Sequence, residues 1–567
     1  MDCRPGSGKY RVEREILDEQ RLEERSKRKT LSEINKPLSD RLKDSLRCSL
    51  PKLKRSVMSS FPVLYWLPKY SVWDYGMPDL VSGISVGIMH LPQGMAYALL
   101  ASVPPVFGLY TSLYPALIYL FFGTSRHISI GTFTVLSIMV GSVTERLAPD
   151  EIFMITNGTN STSGVDITAR DAYRVQVAVA TTFLGGVIQV LLGVIKFGFV
   201  GTYLSEPLVR AYTSAAAAHA LVAQLKHLFG ISPRRFSGPL SLVYTLLDVC
   251  LSLPRTHLPT LLVGSVSIVL LIAAKELNSF LSTKLPVPVP VELIAIVAAT
   301  VISSTAHLYN NYSVSVVGEI PSGLSAPTVP DLSLFGVVIG DAFALAIVGY
   351  AISISLGKTF ALKHGYKVDS NQELVALGLS NAVGSFFQCF SVCASMSRSL
   401  IQETTGGKTQ MAGVASALIV LVTILKLGML FQELPKAVLA SIVLVNLKGM
   451  FKQYFDVITL WRRSKVDLVV WLVTWVSTML LNLDLGLAAS IIFALFTVTF
   501  RTQMPTYSVL GNVPGTELYV DIETHGEARN VPGVTIFRSS ATIYFANAEL
   551  YLEALKEKVG SLSFFTY

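Results

Sequence analysis

Apolar segments of about twenty residues recur along most of this chain and are separated by short polar connections. One is D-L-V-S-G-I-S-V-G-I-M-H-L-P-Q-G-M-A-Y-A-L-L at residues 79–100, and another is D-L-V-V-W-L-V-T-W-V-S-T-M-L-L at residues 467–481. A helix needs about 20 mainly apolar residues to cross the hydrocarbon core of a bilayer. The pattern therefore predicts an α-helical polytopic membrane protein, with about fourteen transmembrane segments between residues 79 and 501.

Both ends of the chain have a different pattern. Residues 1–78 form a polar, basic arm, which we predict to be a cytoplasmic N-terminal region. Residues 502–567 contain strand-like runs, namely Y-S-V-L-G, E-L-Y-V-D-I and G-V-T-I-F-R-S-S-A-T-I-Y-F-A, and then the amphipathic stretch A-E-L-Y-L-E-A-L-K-E-K. This is the pattern of a soluble α/β domain. So short a segment buries too little surface to be stable alone, so we expect the domain to be incomplete here.

The composition agrees with a membrane protein. Hydrophobic residues make up 51% of the chain and charged residues 15%, whereas soluble proteins contain about 25% charged residues. The net charge of +8 is attributed to basic cytoplasmic loops and not to nucleic-acid binding. The five cysteines include no C-x-x-C pair, and we identify no metal-ligand spacing and no catalytic constellation. We therefore expect no metal, no cofactor and no enzymatic activity.

Charge and glycosylation patterns predict the topology. Basic residues fall in alternate loops: Lys275, Lys284, Lys358, Lys363, Lys367, Lys408, Arg462, Arg463 and Lys465. The positive-inside rule places these loops and both termini in the cytoplasm. Asn157, Asn160 and Asn311 match the N-glycosylation acceptor pattern and fall in loops of the opposite side. Arg234 and Arg235 on that outer side do not follow the charge rule. We expect a multi-pass protein of the plasma membrane.

Two polar interruptions of the apolar pattern are the strongest candidates for a functional site. H-I-S-I-G-T-F-T-V-L-S-I-M-V-G falls in the third hydrophobic segment, and F-S-V-C-A-S-M-S-R-S-L falls in about the tenth, seven segments later. Each begins with residues suited to an extended backbone and then becomes helical near small or hydroxyl residues. Two helix N-termini would converge there and form an anion site. Arg398 would supply a full positive charge and Ser397 a hydrogen bond.

Arg398 also has a structural interpretation. An arginine at membrane depth costs ~3 kcal/mol on insertion scales, so it needs a partner. A buried carboxylate would serve, and Glu206, Glu292 and Asp341 are the candidates. Glu206 and Arg210 are spaced i,i+4, which favours a structural ion pair between those two residues instead.

Further polar residues flank this site in the sequence. Gln93 in L-P-Q-G-M-A-Y-A carries amide donors for an anion, and Tyr97 lies one helical turn further on the same face. An amide bonded to a neighbouring helix explains Gln93 equally well on spacing alone. Phe133 is a candidate for the cavity lining, although packing explains an isolated aromatic residue as well. Glu292 and His90 are candidate modulators through charge or protonation.

Several of these stretches carry the resemblance to a known family. P-P-V-F-G-L-Y-T-S-L-Y-P-A-L-I-Y-L-F-F-G-T-S-R-H at residues 104–127 resembles a family signature, and L-P-Q-G-M-A-Y-A, S-M-S-R-S-L-I-Q-E-T-T-G-G-K-T-Q and V-N-L-K-G-M-F are similarly close to animal members. The chain resembles the sulfate permease (SulP) family, known in animals as solute carrier family 26. The resemblance runs from about Tyr10 to the end.

The resemblance implies a specific architecture and site. It implies two inverted seven-segment repeats divided into a core and a gate domain, a C-terminal cytoplasmic STAS domain that is truncated in this chain, and a homodimer. It places a small anion between the third and tenth segments. The implied anion contacts are Gln93, Tyr97, Phe133, Ser397 and Arg398.

The expected function is secondary active exchange of chloride against bicarbonate, oxalate, sulfate or a similar anion by an elevator-type mechanism. The expected partners are therefore small inorganic or dicarboxylate anions, membrane lipid and a second copy of the chain, with no nucleic acid. Three alternatives remain open: an uncoupled anion channel, a voltage-driven motor, and a proton-coupled nucleobase symporter. The symporter would need a carboxylate at the site and no arginine.

Overall fold

A computed structural model describes residues 58–563, apart from 59, 156–163, 200, 202–204, 233–235, 237, 282–288, 319 and 322. Most of the N-terminal arm therefore lies outside the described residues, and so do the predicted glycosylation sites Asn157 and Asn160. The third predicted site, Asn311, is exposed on a short helix.

Helices form nearly all of the described chain before residue 504. They are α1 (Val63–Trp66), α2 (Val72–Leu100), α3 (Pro105–Phe122), α4 (Thr134–Leu147), α5 (Ile167–Val194), α6 (Glu206–Phe229), α7 (Ser241–Ser252), α8 (Leu258–Leu281), α9 (Val291–Ala306), α10 (Leu308–Tyr312), α11 (Phe335–His364), α12 (Ser370–Phe386), α13 (Met396–Thr404), α14 (Met411–Val422), α15 (Lys436–Phe451), α16 (Asp456–Arg463) and α17 (Lys465–Gln503).

Six described helical segments are long and apolar enough to cross a membrane. They are Pro105–Phe122, Ile167–Val194, Leu258–Phe280, Leu332–His364, Met411–Phe431 and Lys465–Gln503. The predicted helical membrane architecture is confirmed by these segments, whereas the number of fourteen crossings stays a prediction.

The last apolar region is bent at one residue. Asn482 interrupts α17 with φ 77° and ψ 173°, a backbone conformation that side-chain-bearing residues rarely adopt. Its side chain donates to the carbonyl oxygen of Gly238 at 2.9 Å and contacts the hydroxyl of Ser241. These hydrogen bonds hold two helical halves against the residues around the start of α7.

The two predicted interruptions pair with each other. Strand β1 (Ile130–Gly131) lies antiparallel to β4 (Cys393–Ala394), with Ile130 opposite Ala394 and Gly131 opposite Cys393. Helix α4 begins at Thr134 and α13 begins at Met396, so each helix starts within three residues of the ladder. The prediction of extended backbone followed by a short helix is confirmed in both stretches.

Close glycine packing fixes helix α2 beside this ladder. A Cβ atom added to Gly108 of α3 would lie 1.9 Å from the carbonyl oxygen of Gly94 in α2. Only glycine permits backbones to approach so closely. Helix α2 runs unbroken through Pro92 and Gly94, so Gly94 serves close packing between the two helices.

Two other short strands, β2 (Met154–Ile155) and β3 (Gly164–Val165), form a separate antiparallel pair between α4 and α5.

The C-terminal part forms a small α/β unit. After α17, strands β5 (Tyr507–Asn512), β6 (Tyr519–Asp521) and β7 (Ile536–Ser539) form an antiparallel sheet in the order β6-β5-β7, followed by helix α18 (Ala548–Ser563).

The third predicted strand is shorter in the structure than the strand-like run in the sequence. The prediction covered residues 533–546, but pairing stops at Ser539. The side chain of Asn547 accepts a 2.8 Å hydrogen bond from the backbone N–H of Tyr544, which favours a turn there.

Candidate anion-binding site

Arg398 is the most deeply buried charged side chain of the site, with no exposed surface. Its Nη1 donates to Oε1 of Gln93 at 2.9 Å, and its Nη2 donates to the carbonyl oxygen of Thr132 at 2.8 Å. The guanidinium therefore joins α13 to the middle of α2 and to the residues between β1 and α4. Three separate parts of the chain meet at this one side chain.

None of the three candidate carboxylates pairs with Arg398. Glu206 pairs with Arg210 at 3.3 Å, as the i,i+4 spacing predicted. Glu292 pairs with Lys275 at 2.8 Å, and Asp341 pairs with Arg146. Within the described part of the chain, Arg398 consequently has no acidic partner. The alternative in which a buried ion pair holds Arg398 is not supported by these contacts.

Three donor groups around the guanidinium have no protein partner among the described residues. They are Nε of Arg398, Nε2 of Gln93 and the hydroxyl of Thr132. A buried polar group without a hydrogen bond costs about 1–3 kcal/mol. Since all three groups can donate, the place suits an anion that accepts several hydrogen bonds, such as an oxyanion or a halide.

The two short helices present uncapped N-termini. Phe133 precedes α4 and Ser395 precedes α13, and neither side chain accepts a hydrogen bond from a backbone N–H group of its helix. The hydroxyl of Ser395 contacts the hydroxyl of Ser397 at 3.3 Å instead. The first N–H groups of a helix have no intrahelical partner, and the helix dipole adds partial positive charge there. Both termini adjoin the β1–β4 ladder, so the positive ends of two helices add to the charge of Arg398.

Gly131 occupies the space between Arg398 and His90. A Cβ atom at this position would lie 2.6 Å from Cε1 of His90 and 3.1 Å from Nη2 of Arg398. His90 is buried, its Nε2 lies 3.4 Å from the hydroxyl of Ser129, and its Nδ1 is unpartnered among the described residues. The predicted modulator His90 therefore lies directly behind the guanidinium, across a residue that has no side chain.

Ser397 and Glu292 face a cavity of 440 Å³. Its walls come from α2, α8, α13, α15 and the start of α9, and its polar lining includes Ser85, Lys275, Asn278, Ser279, Glu292, Ser397 and Asn446. Ser397 is exposed, whereas Arg398, the next residue of α13, is fully buried. Ser397 is the member of the predicted anion site that lines this cavity.

Tyr97 and Phe133 lie beside the site within the hydrophobic core. Their exposed fractions are 4% and 8%, and both belong to the large buried cluster around α2 and α4. The structure thus brings Gln93 and Arg398 into direct contact, places Ser397 on the cavity, and packs Tyr97 and Phe133 nearby. Their contact with an anion stays a prediction.

Sequence reasoning missed three participants: the carbonyl group of Thr132, Lys275 and Asn446. Lys275 contacts both Glu292 and the side-chain oxygen of Asn446. A signal for Lys275 exists in the sequence, because it ends one apolar segment shortly before Glu292 opens the next. Thr132 is one of the hydroxyl residues at the predicted helix start, but no local pattern marks its carbonyl group, or Asn446, as part of the site. Among the described residues, no group of three or more His, Cys, Asp or Glu side chains is arranged to hold a metal ion.

Comparisons with known proteins agree with these features. The chain matches the model of the sulfate permease family over residues 77–474. It is 54% identical over 551 residues to solute carrier family 26 member 6 of Homo sapiens, covering 97% of this chain and 71% of that protein. It is 52% identical over 551 residues to prestin of Danio rerio, covering 97% and 74%.

Solved structures show the same fold. Murine solute carrier 26 family member A9, described as an anion transporter in the inward-facing state, superposes with a TM-score of 0.88 at 40% identity and covers 98% of this chain and 86% of that one. The transmembrane domain of the cyanobacterial bicarbonate transporter BicA gives a TM-score of 0.57 at 18% identity, over 74% and 96%, which supports the fold alone. The chain belongs to the sulfate permease family, a family of membrane transporters for anions and not of enzymes.

Proposed function

We propose that this protein is a secondary active exchanger that moves chloride against bicarbonate, oxalate, sulfate or a similar anion across the plasma membrane. One observation carries the proposal. Arg398 is fully buried, has no acidic partner among the described residues, and is surrounded by the unpartnered donors of Gln93 and Thr132. A small anion would satisfy these donors and balance the guanidinium charge, with Ser397, Tyr97 and Phe133 completing its surroundings.

The positions of the helices around the cavity support an elevator-type movement. Helices α2 and α13, which hold Gln93 and Arg398, form one wall, and α8, α9 and α15 form the other. In the proposed mechanism the first group is part of a core domain that carries the anion past a gate domain containing the second group. Glu145 of α4 and Lys226 of α6 lie 3.6 Å apart, and this pair would link the two domains on the far side.

The remaining features complete the proposal. Residues 502–567 would be the first part of a cytoplasmic STAS domain, both termini would be cytoplasmic, and two copies of the chain would form a homodimer. Asn157, Asn160 and Asn311 would be glycosylated on the outer side. The basic loops and the acceptor patterns in alternate connections support this topology.

An uncoupled channel and a voltage-driven motor are the competing functions. A buried fixed charge gives the anion a discrete stopping place, which favours exchange over a channel. The nucleobase symporter is disfavoured, because the described site contains an arginine where that function needs a carboxylate.

The decisive experiment is efflux of labelled oxalate or sulfate from proteoliposomes with chloride present or absent outside. We expect wild-type efflux to require external chloride, and Arg398→Gln to reduce it at least tenfold. Arg255→Gln removes an exposed arginine outside the site and is the control.

Each other result has a definite meaning. Wild-type efflux that ignores external anions would establish an uncoupled channel. Gating-charge currents without net flux would establish a motor. Unimpaired exchange by Arg398→Gln would return this residue to a structural role.

A further inference from the structure

Helix α16, eight residues between α15 and α17, exposes large apolar side chains on one face. Phe455 just before the helix, Ile458 and Trp461 are 69%, 58% and 67% exposed. Their spacing of three residues puts them in one stripe on a helical surface. An exposed stripe of this kind on so short a helix needs a partner that can accept apolar side chains.

The charges on the same face have a single sign. Arg462 and Arg463 are exposed at the end of α16, and Lys452 and Lys465 are exposed on either side of it. The one acidic residue of this stretch, Asp456, points inward and pairs with Arg210 of α6 at 3.0 Å. The outward face of α16 therefore combines large apolar side chains with positive charge alone.

The position of α16 in the fold indicates which kind of partner its exposed face meets. Helix α17, which is long and apolar enough to cross a membrane, begins at Lys465, two residues after α16 ends. Helix α16 consequently lies at the level where the chain enters the bilayer. At that level a tryptophan and aliphatic side chains favour the boundary of the acyl region, and arginines reach the headgroups.

We propose that the exposed face of α16 binds anionic phospholipids of the cytoplasmic leaflet. A cluster of four or more basic residues next to a transmembrane helix has the charge that such headgroups require. The assignment to the cytoplasmic leaflet rests on the topology in the proposed function. The binding itself follows from the charge and the apolar stripe.

Lipid binding here would act on transport through the gate helices. Besides the Asp456–Arg210 ion pair, Gln453 accepts a 2.7 Å hydrogen bond from Thr213 of α6. Lipids bound to α16 would therefore hold α6 and α17 at a fixed depth while the core helices move. Exchange is expected to be faster in membranes that contain anionic lipid.

The first test measures lipid binding without transport. The full chain is placed in nanodiscs of phosphatidylcholine in which one lipid in five is spin-labelled phosphatidylserine or spin-labelled phosphatidylcholine, and the relative association of the two is compared. Arg462→Gln/Arg463→Gln should lose about fivefold of the phosphatidylserine preference per arginine, from ~1 kcal/mol for each basic residue near an anionic surface. Arg462→Lys/Arg463→Lys keeps the charge and should keep the preference.

A matched control removes two exposed lysines of other connections, Lys367→Gln/Lys408→Gln, and should leave the preference unchanged. The second test compares exchange in vesicles with and without phosphatidylserine. The arginine double variant should equal wild type in phosphatidylcholine and lose the stimulation by phosphatidylserine.

A wild-type lipid preference in Arg462→Gln/Arg463→Gln would overturn the proposal. If the dimer content of that variant, measured in phosphatidylcholine alone, also changes, this face is a protein interface. If the wild-type protein keeps its lipid preference but exchanges no anion in any membrane, only the proposed function is contradicted.

Discussion

The Nη2 atom of Arg398 lies 2.8 Å from the carbonyl oxygen of Thr132, 266 positions earlier in the chain. Arg398 belongs to α13, and Thr132 precedes α4, so one hydrogen bond joins the starts of the two short helices. The contact also explains how a buried guanidinium is held without a carboxylate. Its charge is oriented by a carbonyl group and an amide, both neutral, and stays available to an anion.

Gln93→Glu is expected to make the charge of Arg398 unavailable to the anion. A carboxylate would replace the amide whose Oε1 now accepts from Nη1 of Arg398 at 2.9 Å, and a charge-assisted pair would form. Hydrogen bonds to charged groups contribute about 1.5–3 kcal/mol, so the KM for the transported anion should rise about tenfold or more. The measurement is concentration-dependent exchange in proteoliposomes. Equal KM values for Gln93→Glu and wild type would show that the anion does not use Arg398.

Gly131→Ala is expected to displace Arg398 by steric conflict. The added methyl group would lie 2.6 Å from Cε1 of His90 and 3.1 Å from Nη2 of Arg398. Overpacking of this kind costs about 1–3 kcal/mol. Thermal unfolding in detergent should show reduced stability, and exchange should be lost.

The double variant Gly131→Ala/His90→Ala tests the cause. Removing the imidazole frees the space behind Gly131, so part of the stability and exchange should return. Gly336→Ala is the control, because a Cβ atom there meets no atom within 4 Å. A double variant no better than Gly131→Ala would contradict the assigned conflict.

Lys275 and Glu292 are expected to have opposite effects on anion entry. Their ion pair at 2.8 Å lies on the cavity that Ser397 also lines. Glu292→Gln leaves the lysine charge unbalanced, so the apparent affinity for an anion supplied from the cavity side should increase about threefold. Lys275→Gln leaves the carboxylate unbalanced and should decrease it by a similar factor. Exchange kinetics with the anion concentration varied on one side at a time would measure the apparent affinity of each variant. A change of affinity in the same direction for the two variants would contradict the prediction.

Glu373 is expected to be a stability residue. It is buried in the first turn of α12 and accepts hydrogen bonds from the hydroxyl of Tyr119 at 2.8 Å, the N–H of Thr124 at 2.7 Å and the N–H of Ser125 at 3.1 Å. Glu373→Gln replaces one acceptor oxygen by an amide donor, so either the hydroxyl of Tyr119 or the two backbone N–H groups lose their acceptor. A buried polar group left unpaired costs about 1–3 kcal/mol. The midpoint of thermal unfolding should fall by several degrees. Glu557→Gln on exposed α18 is the control, and equal midpoints for the two variants would refute the role.

Much of the fold was predictable, because local physical chemistry determines it. The bilayer sets the length of an apolar segment, and this length identified the helical membrane architecture. The two polar interruptions were visible as short runs of small, hydroxyl and β-branched residues, which favour extended backbone and then a helix start. The spacing of Glu206 and Arg210 alone predicted their ion pair, since residues four apart on a helix are neighbours.

The partners of distant charges were not predictable. Asp341 and Glu292 remained candidate partners for Arg398 in the sequence, and each pairs with another base in the structure. Asp341 and Arg146 are 195 positions apart, so only the packing of α4 against α11 brings them together. The local patterns of a single sequence do not reveal which of several buried charges pair with each other in the fold.

The sequence by itself thus determined the class of the protein, the position of the two interrupted segments and the residue types that suit an anion. The tertiary structure decided which of these residues meet. Ser397 and Arg398 are consecutive, yet one faces a cavity and the other is fully buried, because successive residues of a helix point about 100° apart. Their roles depend on the surrounding helices, which come from distant parts of the chain and are positioned by packing.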